Sequence, residues 1–323
     1  MLGHFLTPLQ VKDIAVRREQ RRNFFKKSSG FAAGIAGGAI LTACGGTASE
    51  SVAQATSGPS DADILNFALN LEYLEAQFYI VAATGSPLPA NQLTGTGSQG
   101  AVTGGRKVTF TDTLVRQYAN EIAQDEVAHV AFLRAALGAS AVAQPALDIG
   151  ADPNGAFSTA ARAAGLVGPG VAFDPYASDE NFLLAAYIFE DVGVTAYKGA
   201  SPLIQNKTFL EAAAGILAAE AYHAGLIRTV LYAKGITTPS LRTAADAISA
   251  ARDSLDNNQD VNQGISPTND ASNIVPLDAN GLAYSRSPGD VLNIVYLNSG
   301  AVNKGGFFPN GVNGALAISS ALA

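Results

Sequence analysis

Two stretches of this chain, EVAH at 126–129 and EAYH at 220–223, place a glutamate three residues ahead of a histidine. Apart from His4, these are the only histidines in the 323-residue sequence. On an α-helix, residues i and i+3 lie about 60° apart around the axis and about 4.5 Å apart along it, so the two side chains can reach one ion together. Both stretches lie in long apolar-periodic segments, TLVRQYANEIAQDEVAHVAFLRAAL and AAAGILAAEAYHAGLIRTVLYAK, closed by Gly138 and Gly235. Each is preceded by another helical pattern, DADILNFALNLEYLEAQFYIVAA and ENFLLAAYIFEDVGVTAYKGA. The expected caps are Asp61, Thr111 or Asp112, Ser178 or Asp179, and a capping box at Thr208-Phe-Leu-Glu211.

The four patterns form a repeat. Glu72 is followed seven residues later by Tyr79, and Glu190 by Tyr197. Glu126 and His129 match Glu220 and His223, with Arg134 and Arg228 five residues beyond each histidine. Two copies of a helix pair therefore offer six inward donors: Glu72, Glu126, His129, Glu190, Glu220 and His223. Glu75 sits one turn past Glu72, but the repeat aligns it with Gly193, so Glu72 is the expected donor. Tyr79 and Tyr197 read either as hydrogen-bond partners of the donor carboxylates or as core packing. Asp191 reads as an orienter of a histidine or as an exposed acid. Glu121 and Asp125 read as solvated groups or as supporting partners behind the donors, and Arg134 and Arg228 as surface or bundle-end charges. Four glutamates on core-facing stripes need compensating charge, which a pair of metal ions supplies. The alternative is two buried histidines hydrogen-bonded to nearby carboxylates.

This donor set resembles that of the di-iron and di-manganese carboxylate bundles, and the resemblance to the ferritin-like superfamily covers all four helices. It narrows on LNFALNLEYLEAQFY, FEDVGVTAY, RSPGDVLNIVYLNSG and GGFFPNGVNG. These are similar to the ferritin-like family that includes plant desiccation-related proteins and exported bacterial relatives, over about residues 61–315. The expected fold is an all-α, ferritin-like four-helix bundle at 61–239 with a long crossover, 139–177, between its second and third helices. That crossover holds one short helix near AFSTAARAAGL. An irregular C-terminal extension, 240–323, packs on the bundle and contains a helical piece around 243–254 and the apolar run VLNIVYL at 291–297. The resemblance implies two Fe or two Mn ions and O2 or H2O2 as small-molecule substrate. The candidate activities are ferroxidase, peroxide disproportionation or substrate oxidation. The rival reading is a non-enzymatic, stress-protective bundle whose metals only staple the helices. A homo-oligomer is compatible with either, whereas a cage for iron storage suits neither the long tail nor the long loops.

The N-terminus reads as a separate segment. Residues 17–44, RREQRRNFFKKSSGFAAGIAGGAILTAC, resemble a twin-arginine export signal. Its apolar run, Phe31–Ala43, has 13 residues, short of the roughly 20 that span a bilayer. LTAC looks like a lipobox with Cys44 as the lipid-bearing first residue after cleavage of 1–43; the competing cleavage follows Ala55. Residues 44–60 then form a small, polar linker. This predicts an exported protein on the periplasmic side of a bacterial membrane, held there by the Cys44 lipid. Cys44 is the only cysteine, which excludes an intrachain disulfide. Without 1–43 the chain carries 13 basic and 25 acidic residues, a net −12, which argues against nucleic-acid binding through a basic face. The only methionine is Met1 and there is no tryptophan, which reads either as a composition suited to life among oxidants or as chance absences in a Gly/Ala-rich chain.

Overall fold

The computed structural model describes residues 58–256 and 261–321. The expected signal, its lipobox at Cys44 and the alternative cleavage after Ala55 lie outside the described residues. Among those residues are seven α-helices and one two-stranded sheet.

Helix α1 (Asp61–Thr84) begins at Ser60, not Asp61. The Ser60 hydroxyl accepts from the Asp63 amide, and the Asp63 carboxylate accepts in return from the Ser60 amide. Asp61 is occupied elsewhere: its carboxylate accepts from the amides of Gln205 and Asn206, both at 2.8 Å, and so ties down the start of a later helix. Helix α2 (Thr113–Leu137) is capped by Asp112, which accepts from the Leu114 amide. The crossover contains α3 (Ala156–Ala163), where the short helix was expected. Helix α4 (Asp179–Ala200) is capped by Ser178.

Helix α5 (Lys207–Thr237) departs from the sequence reading at both ends. Its cap is Asn206, whose side-chain Oδ1 accepts from the Thr208 amide, and it runs two residues past Gly235. That glycine is buried, and a Cβ there would strike the Arg242 side chain. Gly235 makes room for a neighbour and does not end the helix. Helix α6 (Ser240–Asp253) follows. The VLNIVYL run lies in α7 (Pro288–Tyr296), which starts in a Ser287/Asp290 capping box.

Helix α1 packs along α2, and α4 along α5; the two pairs join where α1 meets α4 and α2 meets α5. Helix α6 covers α4 and α5, and α7 lies against α4. The loop after α1 and the crossover meet in a short parallel ladder, β1 (Val102–Thr103) with β2 (Leu147–Asp148). An aromatic cluster fills the interior. Phe78 stacks on Phe182 at 5.5 Å and meets Phe157 and Phe189, while Phe307 of the tail reaches Phe157 and Phe189 at 5.1 and 4.9 Å. Burying each ring stabilises the fold by about 1.5–3 kcal/mol. The tail also clasps α1: Asn70 and Asn313 exchange two side-chain-to-backbone hydrogen bonds, and the Asn313 amide donates to the carbonyls of Ser98 and Ala143. No helix among the described residues is long and apolar enough to cross a membrane.

Candidate metal centre

Periodicity on α1, α2, α4 and α5 brings all six sequence-predicted donors into one buried cluster. His129 Nδ1 lies 3.1 Å from Glu72 Oε2 and 3.6 Å from both Glu126 Oε2 and Glu220 Oε1. His223 Nδ1 lies 3.1 Å from Glu126 Oε1, out of line for a hydrogen bond, and 3.7 Å from Glu190 Oε2. The two rings are 6.2 Å apart. Two overlapping groups emerge, each with one donor atom per residue inside a 4.8 Å span: Glu72, Glu126, His129 and Glu220 in one, Glu190, Glu220 and His223 in the other.

Tyrosines cross between the two halves of the repeat. The Tyr79 hydroxyl on α1 donates to Glu190 on α4, and the Tyr197 hydroxyl on α4 donates to Glu72 on α1. On the far side of its ring, His223 Nε2 meets Asp125 at 3.3 Å. Solvent reaches the cluster at His129, whose side chain is 11% exposed, while the facing carboxylates are closed.

The electrostatics show what this cluster lacks. Burial pushes Glu72 up to about 7, against the pull of His129, and Glu190 up to about 8, against the pull of His223. Burial raises Glu75 and Glu220 well above the carboxylate range, reinforced by neighbouring acids. For Glu126 burial also acts upward, but two adjacent imidazoles outweigh it and hold the carboxyl well below its usual range. Burial works against charge on both histidines. Glu72 and Glu126 overcome it at His129, Asp125 and Glu126 at His223, and both rings rise to about 11. Protons thus supply the missing positive charge. Even so, both oxygens of Glu126 and of Glu220, and Oε2 of Glu190, are buried without a hydrogen-bond partner. Orphaned carboxylate oxygens beside two imidazoles are the surroundings a pair of divalent cations fits.

The family description "Ferritin-like domain" matches residues 60–233, all four bundle helices to within a few residues. The chain belongs to the ferritin-like family. Two relatives of this ferritin-like protein match along most of their length. The ferritin-like catalase Nec2 of Nesocodon mauritianus is 31% identical over 272 residues, covering 80% of this chain and 85% of the relative. The desiccation-related protein PCC13-62 of Craterostigma plantagineum is 30% identical over 244 residues, covering 71% and 75%. No solved structure matches.

Around this ferritin-like cluster, two sequence readings need correction, those of Asp191 and Arg228. Asp191 neither orients a histidine nor lies exposed: it is buried and pairs with Arg228 at 2.7 Å and Arg252 at 2.9 Å. Arg228 is not a surface charge. It is fully buried, and it also donates to Tyr187 and to the carbonyls of Gln263, Gly264 and Asn273. Its repeat mate Arg134 is half-buried and donates to the Tyr73 hydroxyl and the Thr94 carbonyl. Glu72 rather than Glu75 stands in the donor groups, as the repeat implies, and Glu75 is buried beside them. The signal for it was present: a second glutamate at i+3 from Glu72 on the same helix, before a matching glycine in the other half.

Proposed function

We propose that this ferritin-like protein holds two iron or two manganese ions at the cluster and disproportionates hydrogen peroxide, on the exported side of a bacterial membrane. One observation carries the reading: two Glu-x-x-His helices bring six donors together around buried carboxylate oxygens with no hydrogen-bond partner. Oxygen and imidazole donors without thiolate suit Fe or Mn. Glu126 lies within 3.6 Å of both imidazoles and Glu220 belongs to both donor groups, so these two carboxylates would help hold both ions. Tyr79 and Tyr197 hold Glu190 and Glu72 in place, and Asp125 fixes the His223 ring with Nδ1 facing inward. When bound, a redox-active pair stores two electrons between half-reactions. Peroxide balances that store: one H2O2 gives up two electrons and two protons and leaves as O2, and a second accepts them and leaves as two waters. The relative named ferritin-like catalase supports this choice among the three activities.

The test is O2 release from H2O2 by the purified protein with its metals measured. Turnover should fall by at least about 100-fold in Glu126→Ala. Metal present without turnover would favour the stapled, non-enzymatic bundle, a reading the desiccation-related relative supports. Metal-free protein from its own export route would remove both. The lipid anchor is checked by fractionation: Cys44→Ser should leave the membrane fraction.

A further inference from the structure

The two donor groups are unequal: four residues surround the first position and three the second, with Glu220 in both. Glu75 lies on α1 between Glu72 and Tyr79, one turn from each. Its place is marked by Gly193, which follows Glu190 by one turn on α4. A Cβ at Gly193 would collide with the Glu220 carboxylate, and Glu75 Oε1 lies 3.5 Å from the same point. The carboxylates of Glu75 and Glu220 therefore converge on the notch that the glycine leaves, on the Glu190 side of the cluster. Glu72 and Glu190 are each held by a tyrosine hydroxyl, and Glu75 is buried beside them, 6% exposed. Its charge couples to Glu126, Glu190 and Glu72, and to the His223 imidazole.

We propose that Glu75 is a seventh protein donor, serving the ion held by Glu190, Glu220 and His223. The inference rests on the metal reading above and adds to it that the two ions are not equivalent. With Glu75, each position has four donors. The first then draws Glu72 and Glu126 around His129; the second draws Glu75 and Glu190 around His223. Five carboxylates face two cations, so two divalent ions leave one negative charge uncancelled in a buried site. That excess favours hard ions able to reach a higher charge.

The test uses the full chain, stripped with chelator and titrated with Mn2+ by calorimetry, with bound metal counted by elemental analysis. The wild type should take two ions. Glu75→Gln should take one with wild-type affinity and hold the second at least about 10-fold more weakly. Glu75→Leu should do the same, and both variants should melt, metal-free, no lower than the wild type, since each removes a buried acid. Two ions bound by both variants with wild-type affinities would overturn this inference and leave the metal reading standing. Equal weakening of both ions would overturn the assignment to the second position. A wild type that takes no Mn2+ would overturn both readings.

Discussion

The two halves of the repeat carry the same helix pair and the same donor pattern, yet they meet different surroundings. In the first half, α1 and α2 show Arg134 half-buried and a His129 ring that opens to solvent. In the second half, α4 and α5 lie beneath α6 and the tail, so Arg228 is sealed in and Asp191 bridges it to Arg252. The matching position after Glu72 is an acid, Glu75; after Glu190 it is Gly193. Local sequence period places the donors; what covers each helix pair decides the role of everything one turn further out.

The largest effect should come from the arginines. Arg228→Ala takes from Asp191 one of its two arginines, Arg252 being the other. It leaves the Asn273 carbonyl without the guanidinium, while the Gln263 and Gly264 carbonyls keep the Tyr187 hydroxyl and the Asn273 side-chain amide. The loss of six buried guanidinium hydrogen bonds and an unsatisfied carbonyl should cost about 3 kcal/mol or more. Arg134→Ala, at the same repeat position, removes two hydrogen bonds at the edge and should cost about 1–2 kcal/mol. Urea unfolding of both variants measures the gap. Equal losses would mean that the cover of α6 and the tail does not distinguish the halves.

For the donors themselves the two halves should behave alike. Burial raises Glu72 from 4.5 to about 7 and Glu190 from 4.5 to about 8. A raised acid keeps its proton in the folded chain after the unfolded chain has lost it. The folded state then binds more protons, and stability falls as pH rises. The histidines act in the same direction: charge held up to about 11, against an ordinary 6.5, contributes fully below 6.5 and is lost as pH rises. Glu126, held low, acts oppositely, but only below its ordinary 4.5. Metal-free protein should therefore lose stability steadily between about pH 5 and pH 8. Glu72→Gln and Glu190→Gln should each flatten that slope. Thermal melts in chelator at several pH values check this. A slope carried by one glutamate alone would break the symmetry.

Most of the bundle was legible because helical signals are local. The i, i+3 pairing of Glu126 with His129 and of Glu220 with His223, and the seven-residue step from each lone glutamate to its tyrosine, depend only on helix geometry. What stayed hidden depends on distant chain. Arg228 is buried by carbonyls some 35–45 residues later in sequence, and nothing near it announces them. Asp61 looked like a cap because it opens the helix, but it serves the start of α5 from 144 residues away. Helix α7 was within reach, since Ser287-Pro-Gly-Asp290 is a capping box, yet the apolar run that follows is too short for periodicity to separate helix from strand. Glu75 was discounted for facing a glycine in the repeat. Yet a glycine there is what gives the Glu220 carboxylate its space.

That glycine offers the finest cut between the halves. In an exposed helix interior, Gly→Ala is worth about 0.5–1 kcal/mol of stability, because alanine loses less backbone freedom on folding. Gly215 on α5 has nothing within 4 Å of an added Cβ, so Gly215→Ala should gain that amount and leave metal content unchanged. Gly193→Ala should gain nothing comparable, because its methyl displaces the Glu220 carboxylate from the notch. Its fold should stay within about 1 kcal/mol of wild type, since the atom that must move is the free end of a flexible side chain. Its metal content should drop, because Glu220 belongs to both donor groups. Elemental analysis beside urea unfolding on the same two variants separates the cases. If Gly193→Ala matched Gly215→Ala in both readouts, the glycine would be an accident of the repeat, and the two halves would differ only in what covers them.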